Sequence, residues 1–217
     1  VRRAYTHPDN ILRASIVSDP IQSRKNTGDN TPAVIHTEVV LGNKVEIHIA
    51  AKGAGSENKA KFTVLNPSDN LVDWILATIS EMGAGWCPPG MIGVGVGGTA
   101  EKAMLMAKES LMEPINIQAL IESGPVTEAE KLRIELYDKI NQMGIGAQGL
   151  GGLTTVLDVI ISSGLGSFLI DFKRSDAHRV SERIDWVSQS DIFSRIYGVD
   201  VGRNVSEVIN MYILLNI

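Results

Sequence analysis

The chain has 217 residues, and its 44% of hydrophobic residues can fill the core of one large domain or two small ones. Acidic residues outnumber basic ones by 25 to 20, giving a net charge of -5 with no basic run at either end, so we expect no nucleic-acid partner. No apolar stretch approaches the roughly 20 residues that cross a bilayer, and the N-terminus lacks a secretory signal pattern. We therefore expect a cytoplasmic protein without membrane contact. Because the chain starts at Val1, we expect the natural N-terminus to lie upstream.

The first predicted elements are an amphipathic stretch, a loop and a pair of strands. The amphipathic stretch ends near Ile16, and the loop is the cluster NTGDNTP at 26–32. Residues 33–40 and 44–50 alternate apolar with polar side chains and are rich in β-branched types, with a short turn between them. This pattern predicts a β-hairpin over residues 34–50.

Three amphipathic helices are predicted in the middle of the chain. Each begins at a residue type whose side chain accepts hydrogen bonds from free backbone amides. The predicted helices are 69–82 with Asp69 as cap, about 99–112 with Thr99 as cap, and 128–143 with a capping box of Thr127 and Glu130.

The C-terminal part predicts a short strand and two further helices. The strand covers residues 167–172, and the helices cover about 177–189 and 204–215, the last with Asn204 and Glu207 in capping-box spacing. Together these elements predict a mixed α/β (α+β) fold, in which a β-hairpin and glycine-rich strands pack with amphipathic helices.

Two segments are unusually rich in glycine. The segment 83–98 (GAGWCPPGMIGVGVGG) precedes the helix at Thr99, and the segment 144–152 (GIGAQGLGG) follows the helix at 128–143. Residues 93–98 satisfy the G-x-G-x-x-G pattern of dinucleotide-binding turns, but the same glycines also suit a strand packed tightly against a helix. Both segments predict backbone that closely approaches another part of the protein.

Cys87 is the single cysteine and lies between a tryptophan and two prolines. A lone cysteine is usually a small buried hydrophobic residue. The rigid turn that the prolines impose also suits a metal ligand or a reactive thiol. None of the four histidines has ligand spacing to a second one.

Two further stretches contain residues that could bind a carboxylate. The loop at 50–61 combines glycines with Lys52 and Lys59, so it could offer backbone amides and cations, although a polar surface turn has the same composition. Arg13 could bind a carboxylate through two parallel hydrogen bonds, although a solvated arginine on a helix face is the ordinary interpretation.

Four motifs occur in an order that resembles one known family. In chain order they are RKNTGDNTPA, AAKGAGSENK, GAGWCPPGMIGVGVGGTAEKA and GIGAQGLGGLTTVLDV. Over residues 3–159 the chain resembles the α region of class I fumarate hydratase, the iron–sulfur type, whose family includes tartrate dehydratase. The resemblance favours a ligand role for Cys87 over a buried thiol, and close packing over a nucleotide site at 93–98.

The resemblance implies a hydro-lyase that reversibly hydrates a dicarboxylate, fumarate to malate, at a [4Fe-4S] cluster held by three cysteines. It implies that Cys87 is a metal ligand of this cluster and that Arg13 and Gly55 bind the substrate, and it assigns no catalytic residue in this chain. The implied partner is a β domain or β subunit of the same enzyme. We also expect a homo-oligomer.

The chain departs from the family pattern in two places. The first cluster cysteine of the family would precede Val1, and a third cysteine and an active-site histidine do not follow from about Ile160. Because one thiolate cannot hold a cluster that needs three, we expect no stable cluster on this chain alone. We therefore predict a partial catalytic domain at 1–159 and a divergent C-terminal segment at 160–217 of unknown role.

Three alternatives to fumarate hydration follow from these observations. One is tartrate dehydratase, because much of the substrate pocket lies outside this chain. Another is a cluster-less structural or interaction remnant that keeps the α-region scaffold. The third is nucleotide binding at 93–98, which predicts measurable affinity for NAD.

Overall fold

The computed structural model describes residues 1–164 and three further strands, at Phe168–Arg174, Arg179–Ile184 and Glu207–Asn216. The chain forms two compact units: one contains Val1–Ala51 and His178–Ile217, and the other contains Lys52–Ala177. Helices and strands are both present, which confirms the mixed α/β fold. Among the described residues, no helix is long and apolar enough to span a membrane.

The elements are numbered along the part of the chain that the structure describes. The strands are β1 Val34–Leu41, β2 Val45–Lys52, β3 Lys61–Thr63, β4 Gly90–Val96, β5 Val156–Ser163, β6 Phe168–Arg174, β7 Arg179–Ile184 and β8 Glu207–Asn216. The helices are α1 Arg2–Tyr5, α2 Ala54–Glu57, α3 Leu71–Met82, α4 Ala100–Ser110, α5 Ile117–Ser123 and α6 Glu128–Gln142. The strands form two four-stranded sheets with the orders β1-β8-β2-β7 and β3-β6-β4-β5.

The first unit contains both strands of the predicted hairpin, but they do not pair with each other, so the predicted hairpin is wrong. Strand β8 lies between β1 and β2, and β1 pairs with β8 antiparallel from Val34↔Leu214 to Leu41↔Glu207. From Leu41 to Val45 the chain can extend about 13 Å. That length is enough to pass the roughly 10 Å between strands that have one strand between them. A short turn therefore allowed a hairpin without requiring it.

The two helices predicted near the C-terminus are also wrong wherever the structure describes them. Residues 179–184 form β7, which pairs with β2, and residues 207–216 form β8. The sequence of β8, EVINMYILLN, is apolar over most of its length, and such a run does not distinguish a helix from a buried strand. Pairing with neighbouring strands decides between them. Asn204 lies outside the described residues.

The second unit is built on the sheet β3-β6-β4-β5. Strand β4 is buried along nearly all of its length and pairs with β5 in parallel and with β6 antiparallel. A parallel pair needs a long crossover, and the helices α4, α5 and α6 supply it here. The predicted strand at 167–172 is confirmed as β6, shifted slightly toward the C-terminus. The predicted domain boundary at 159/160 falls inside β5, and the separate role of the C-terminal segment stays a prediction.

The core of this unit lies among α3, α6, β4 and β5. Its largest side chains are completely removed from water, each contributing about 1.5–3 kcal/mol relative to exposure. They are Ile75, Ile79, Trp86, Ile92, Val94, Leu136, Ile140, Val156 and Val159.

A buried ion pair joins the crossover helices to the sheet. Asp158 on β5 is 0% exposed, and its carboxylate accepts hydrogen bonds from Arg133 Nε at 2.9 Å and Arg133 Nη2 at 2.6 Å. The same carboxylate accepts from the backbone amides of Asn116 and Ile117 at 3.0 and 3.1 Å. Asp158 therefore satisfies free amides at the start of α5 and fixes that helix against β5.

The three helices predicted in the middle of the chain have nearly the predicted bounds, but not all of the predicted caps. Helix α3 begins after Asn70, whose side chain accepts from the amide of Asp73, and Asp69 instead accepts from the amide of Asn66. Asp69 as the cap was therefore wrong by one residue. Thr99 is at the N-cap of α4, but its side chain forms no capping hydrogen bond, whereas the capping box of α6 is formed as predicted.

Candidate active site

The glycines of the GVGVGG motif pack against a helix. Gly93 and Gly95 lie within β4, and a Cβ atom on either would collide with a backbone carbonyl of α4, that of Ala107 or Ala103. This is the close packing of strand and helix that the sequence allowed. It also occupies the space above the glycines that a dinucleotide would need, so the geometry disfavours the nucleotide interpretation.

Cys87 lies in a tight turn between α3 and β4. Its amide donates to the carbonyl of Ala84 at 2.9 Å, and its φ of 61° is in the left-handed region that few residues other than glycine adopt. The neighbouring Trp86 is 0% exposed and belongs to the core, whereas Cys87 is only partly buried. The turn therefore holds the thiol at the end of a rigid, strained segment, which is typical of functional residues.

The second glycine-rich segment packs against this turn. The amide of Gln148 donates to the carbonyl of Pro88 at 2.7 Å, and its side-chain Nε2 donates to the same oxygen at 3.3 Å. A Cβ on Gly149 would lie 2.6 Å from Cβ of Ala84. The predicted close approach is confirmed, and its partner is the Cys87 turn. Sequence reasoning missed Gln148 because no local pattern indicates which surface a glycine loop approaches.

The structure brings Gly55 and Cys87 together. Gly55 lies in the one-turn helix α2, and a Cβ there would lie 3.8 Å from Cys87 Sγ and 3.6 Å from the carbonyl oxygen of Gly85. Both separations are ordinary van der Waals contacts, and Gly55 does not have a positive φ. Two of the three predicted site residues thus form one small site, lined on one side by backbone.

An ion-pair cluster fixes α2 in this position. The carboxylate of Glu57 forms ion pairs with the Nζ atoms of Lys52, at 3.0 Å, and of Lys108 in α4. Lys52 is only 4% exposed. Burial raises the pKa of the Glu57 carboxyl, but the two lysines lower it more, so the net pKa is below the ordinary value. The loop is therefore more than a polar surface turn. Sequence reasoning missed Glu57, and Lys108 is too distant along the chain to be associated with it.

Arg13 belongs to the first unit, whereas Gly55 and Cys87 belong to the second. It is exposed and lies outside any helix, because α1 ends at Tyr5, so the predicted helix face is wrong. It forms no ion pair or hydrogen bond with any residue that the structure describes. Its guanidinium is therefore available for a ligand.

The loop at 26–32 fixes the backbone that follows Arg13. The buried Asn30 accepts from the amides of Ser15 at 2.9 Å and Ile16 at 3.2 Å, and Asn26 donates to the carbonyl of Ala14 at 2.7 Å. Residues 11–16 have no regular secondary structure, so these side chains replace the hydrogen bonds of a helix or sheet.

The donor set of this chain does not fit a complete [4Fe-4S] cluster. Three thiolates would be needed, and the sequence contains one cysteine. Within the described residues, no group of three or more His, Cys, Asp or Glu side chains could hold a metal ion.

Comparison with known proteins identifies the family of this chain. Residues 1–165 match the sequence profile of fumarate hydratase (fumerase). A putative L(+)-tartrate dehydratase subunit alpha of Methanocaldococcus jannaschii is 41% identical over 142 residues, 64% of this chain and 48% of the relative. An L(+)-tartrate dehydratase subunit alpha of Escherichia coli (strain UTI89) is 31% identical over 150 residues, 68% of this chain and 48% of the relative. The chain spans about half the length of the curated relatives it matches.

The described residues form a mixed α/β fold in which a thiol is held beside a glycine turn. The chain belongs to the fumarate hydratase family.

Proposed function

We propose that this chain forms part of the catalytic region of a hydro-lyase that reversibly adds water to a four-carbon dicarboxylate. The observation that carries the proposal is the closeness of Gly55 to the thiol, since a Cβ on Gly55 would lie 3.8 Å from Cys87 Sγ, in a chain whose residues 1–165 match the family. Fumarate and malate are the proposed substrate pair. L(+)-tartrate is the second candidate, because the curated relatives are tartrate dehydratase subunits.

In the complete enzyme, we assign distinct roles to the three site residues. Cys87 supplies one thiolate ligand to a [4Fe-4S] cluster whose other ligands come from outside this chain. At Gly55 the backbone lets a substrate carboxylate approach the thiol without meeting a side chain. Arg13 offers a planar pair of donors that matches a carboxylate. A β domain or β subunit is the proposed partner, since the relatives carry the name of an alpha subunit.

Activity is tested in a hybrid enzyme. In an E. coli L(+)-tartrate dehydratase, the part of the alpha subunit that aligns with this chain is replaced by the aligned residues of this chain. Hydration of fumarate and dehydration of L-malate and L(+)-tartrate are then measured under anaerobic conditions. We expect activity on at least one of them, abolished by Cys87→Ser. A folded, cluster-loaded hybrid without activity on any would refute the proposal.

The cluster is tested on the chain itself. After anaerobic incubation of the 217-residue chain with iron and sulfide, we expect no stable visible spectrum of a [4Fe-4S] cluster, because the chain supplies one thiolate. Close to four irons per chain, lost in Cys87→Ala, would contradict this. The alternative of a cluster-less interaction remnant predicts that the hybrid folds and assembles but binds no iron. Cytoplasmic location and homo-oligomer formation stay predictions.

A further inference from the structure

Three lysines surround the one-turn helix α2, and they differ in their partners. Lys52 and Lys108 share the carboxylate of Glu57. Lys59 is partly buried, yet it forms no ion pair with any residue in the described part of the chain. Within the described part of the chain, one cation of this loop therefore has no counter-charge.

The side chain of Lys59 lies over the turn that holds the thiol. A Cβ on Gly85, two residues before Cys87, would lie 2.5 Å from Lys59 Cε and 2.9 Å from Lys59 Nζ. The carbonyl oxygen of the same Gly85 lies beside Gly55. The ammonium of Lys59 thus lies beside the short turn that contains Cys87 and that faces Gly55.

The backbone also ties Lys59 to this turn. Its amide donates to the carbonyl of Ser56 at 3.2 Å, and Asn58 donates to Ala54 at 3.0 Å, so Lys59 continues directly from α2. Because Glu57 fixes α2 through Lys52 and Lys108, the position of Lys59 is set by a rigid support. Partial burial of an unpaired ammonium is unfavourable, and a bound anion would offset that cost.

We propose that Lys59 is the cation of this loop that binds a carboxylate of the substrate, and that Lys52 and Lys108 serve to hold α2. The identity of the anion as a dicarboxylate rests on the proposed function. The sequence offered Lys52 and Lys59 equally, and the ion pair with Glu57 distinguishes them.

The test uses the reactivity of Cys87 in the full chain, where it is the single thiol. Alkylation rates are measured with iodoacetate, which carries a carboxylate, and with the neutral iodoacetamide. In Lys59→Gln we expect the ratio of the two rates to fall about two- to fivefold, as expected for losing one charge several ångströms away in a partly solvated site. Lys59→Arg should retain the ratio. Lys102→Gln, an exposed lysine on α4, is the matched control and should also retain it.

A second measurement adds the dicarboxylate L-malate. It should slow alkylation of the parent chain and of Lys102→Gln, but not of Lys59→Gln. The inference is overturned by an unchanged ratio in Lys59→Gln, by an equal fall in Lys102→Gln, or by equal protection of both variants. Circular dichroism and thermal unfolding of each variant must match the parent, and Lys59→Arg keeps the test decisive if Lys59→Gln does not fold.

Failure of this proposal can be distinguished from failure of the proposed function. Selectivity for iodoacetate through Lys59, with a hybrid that lacks hydro-lyase activity, refutes the proposed function alone. An active hybrid in which Lys59→Gln leaves the KM for the dicarboxylate unchanged refutes the role of Lys59 alone.

Discussion

Glycine has two different roles in the second unit, and the neighbours of each glycine distinguish them. Gly93 and Gly95 in β4 have backbone of α4 where a side chain would be. Gly55 faces only the edge of the Cys87 turn, at ordinary contact distance. The first pair makes a close strand and helix possible, whereas Gly55 leaves space beside a thiol. Changes to the framework should therefore reduce stability, and changes to the site should alter reactivity while the fold is retained.

The largest effect is expected at the buried ion pair between Asp158 and Arg133. Asp158→Ala leaves Arg133, only 14% exposed in its side chain, without its partner and removes the acceptor at the start of α5. Removing one member of a buried pair typically costs about 3–5 kcal/mol. Urea unfolding of the variant should show this loss. Glu128→Ala removes an exposed ion pair with Lys131 and should change the unfolding free energy by less than about 1 kcal/mol.

The next effect is on the packing of β4 against α4. In Gly95→Ala the new methyl group meets the carbonyl of Ala103, which is held by the helix and cannot move aside. Overpacking of this kind costs about 1–3 kcal/mol, and more when backbone must shift. Thermal unfolding measures it. If Gly95→Ala were as stable as the parent, the contact between β4 and α4 would be looser than described here.

Much of this framework could be predicted from the sequence, because its signals are local. The capping box of Thr127 and Glu130 and the period of α3 specify helices without reference to the rest of the chain. The insertion of β8 between β1 and β2 could not be predicted, since pairing depends on residues more than 150 positions apart. At the site, the local residue types indicated Cys87, and the family resemblance indicated Gly55. The support of α2 by Glu57 and Lys108 could not be predicted, because the two residues are separated by 51 positions in the chain.

Arg13→Lys tests the carboxylate-binding role that we propose for this residue of the first unit. Lysine keeps the charge but loses the planar pair of donors, so we expect the KM for the dicarboxylate to rise about tenfold with the fold intact. Steady-state kinetics of the hybrid enzyme measure this. Arg24→Lys is the control and should leave the KM unchanged. Arg24 is also exposed, but its side chain donates to the nearby carbonyl of Pro20. Unchanged KM in Arg13→Lys would make Arg13 an ordinary solvated arginine.

Gly55→Ala sharpens the contrast with Gly95→Ala. Since Gly55 lies in α2 without a positive φ, alanine should leave stability unchanged or raise it by up to about 1 kcal/mol. Backbone strain is therefore not expected in this variant, and the added methyl group acts by blocking the site. We expect slower alkylation of Cys87 and lower turnover in the hybrid. An unaltered alkylation rate would mean that Gly55 does not limit access to the thiol.

The smallest effect concerns the pH dependence of the loop that supports Arg13. Hydrogen bonds from Thr31 and then Arg2 lower the pKa of Asp29 from 3.8 to about 2. Because the folded pKa is below the unfolded one, the stabilising contribution is complete above about pH 4 and is lost as the pH falls toward 2. The Asp29 side chain is partly buried, but its charged partner Arg2 is 72% exposed, so the change should be modest. Titration of the side-chain carbon signals by NMR should give the low pKa, and Asp29→Asn should remove this part of the acid dependence of unfolding. Asp9→Asn, which changes an exposed carboxyl of the same unit, should leave it in place. A normal titration of Asp29 would show that its bonds to Thr31 and Arg2 do not persist in solution.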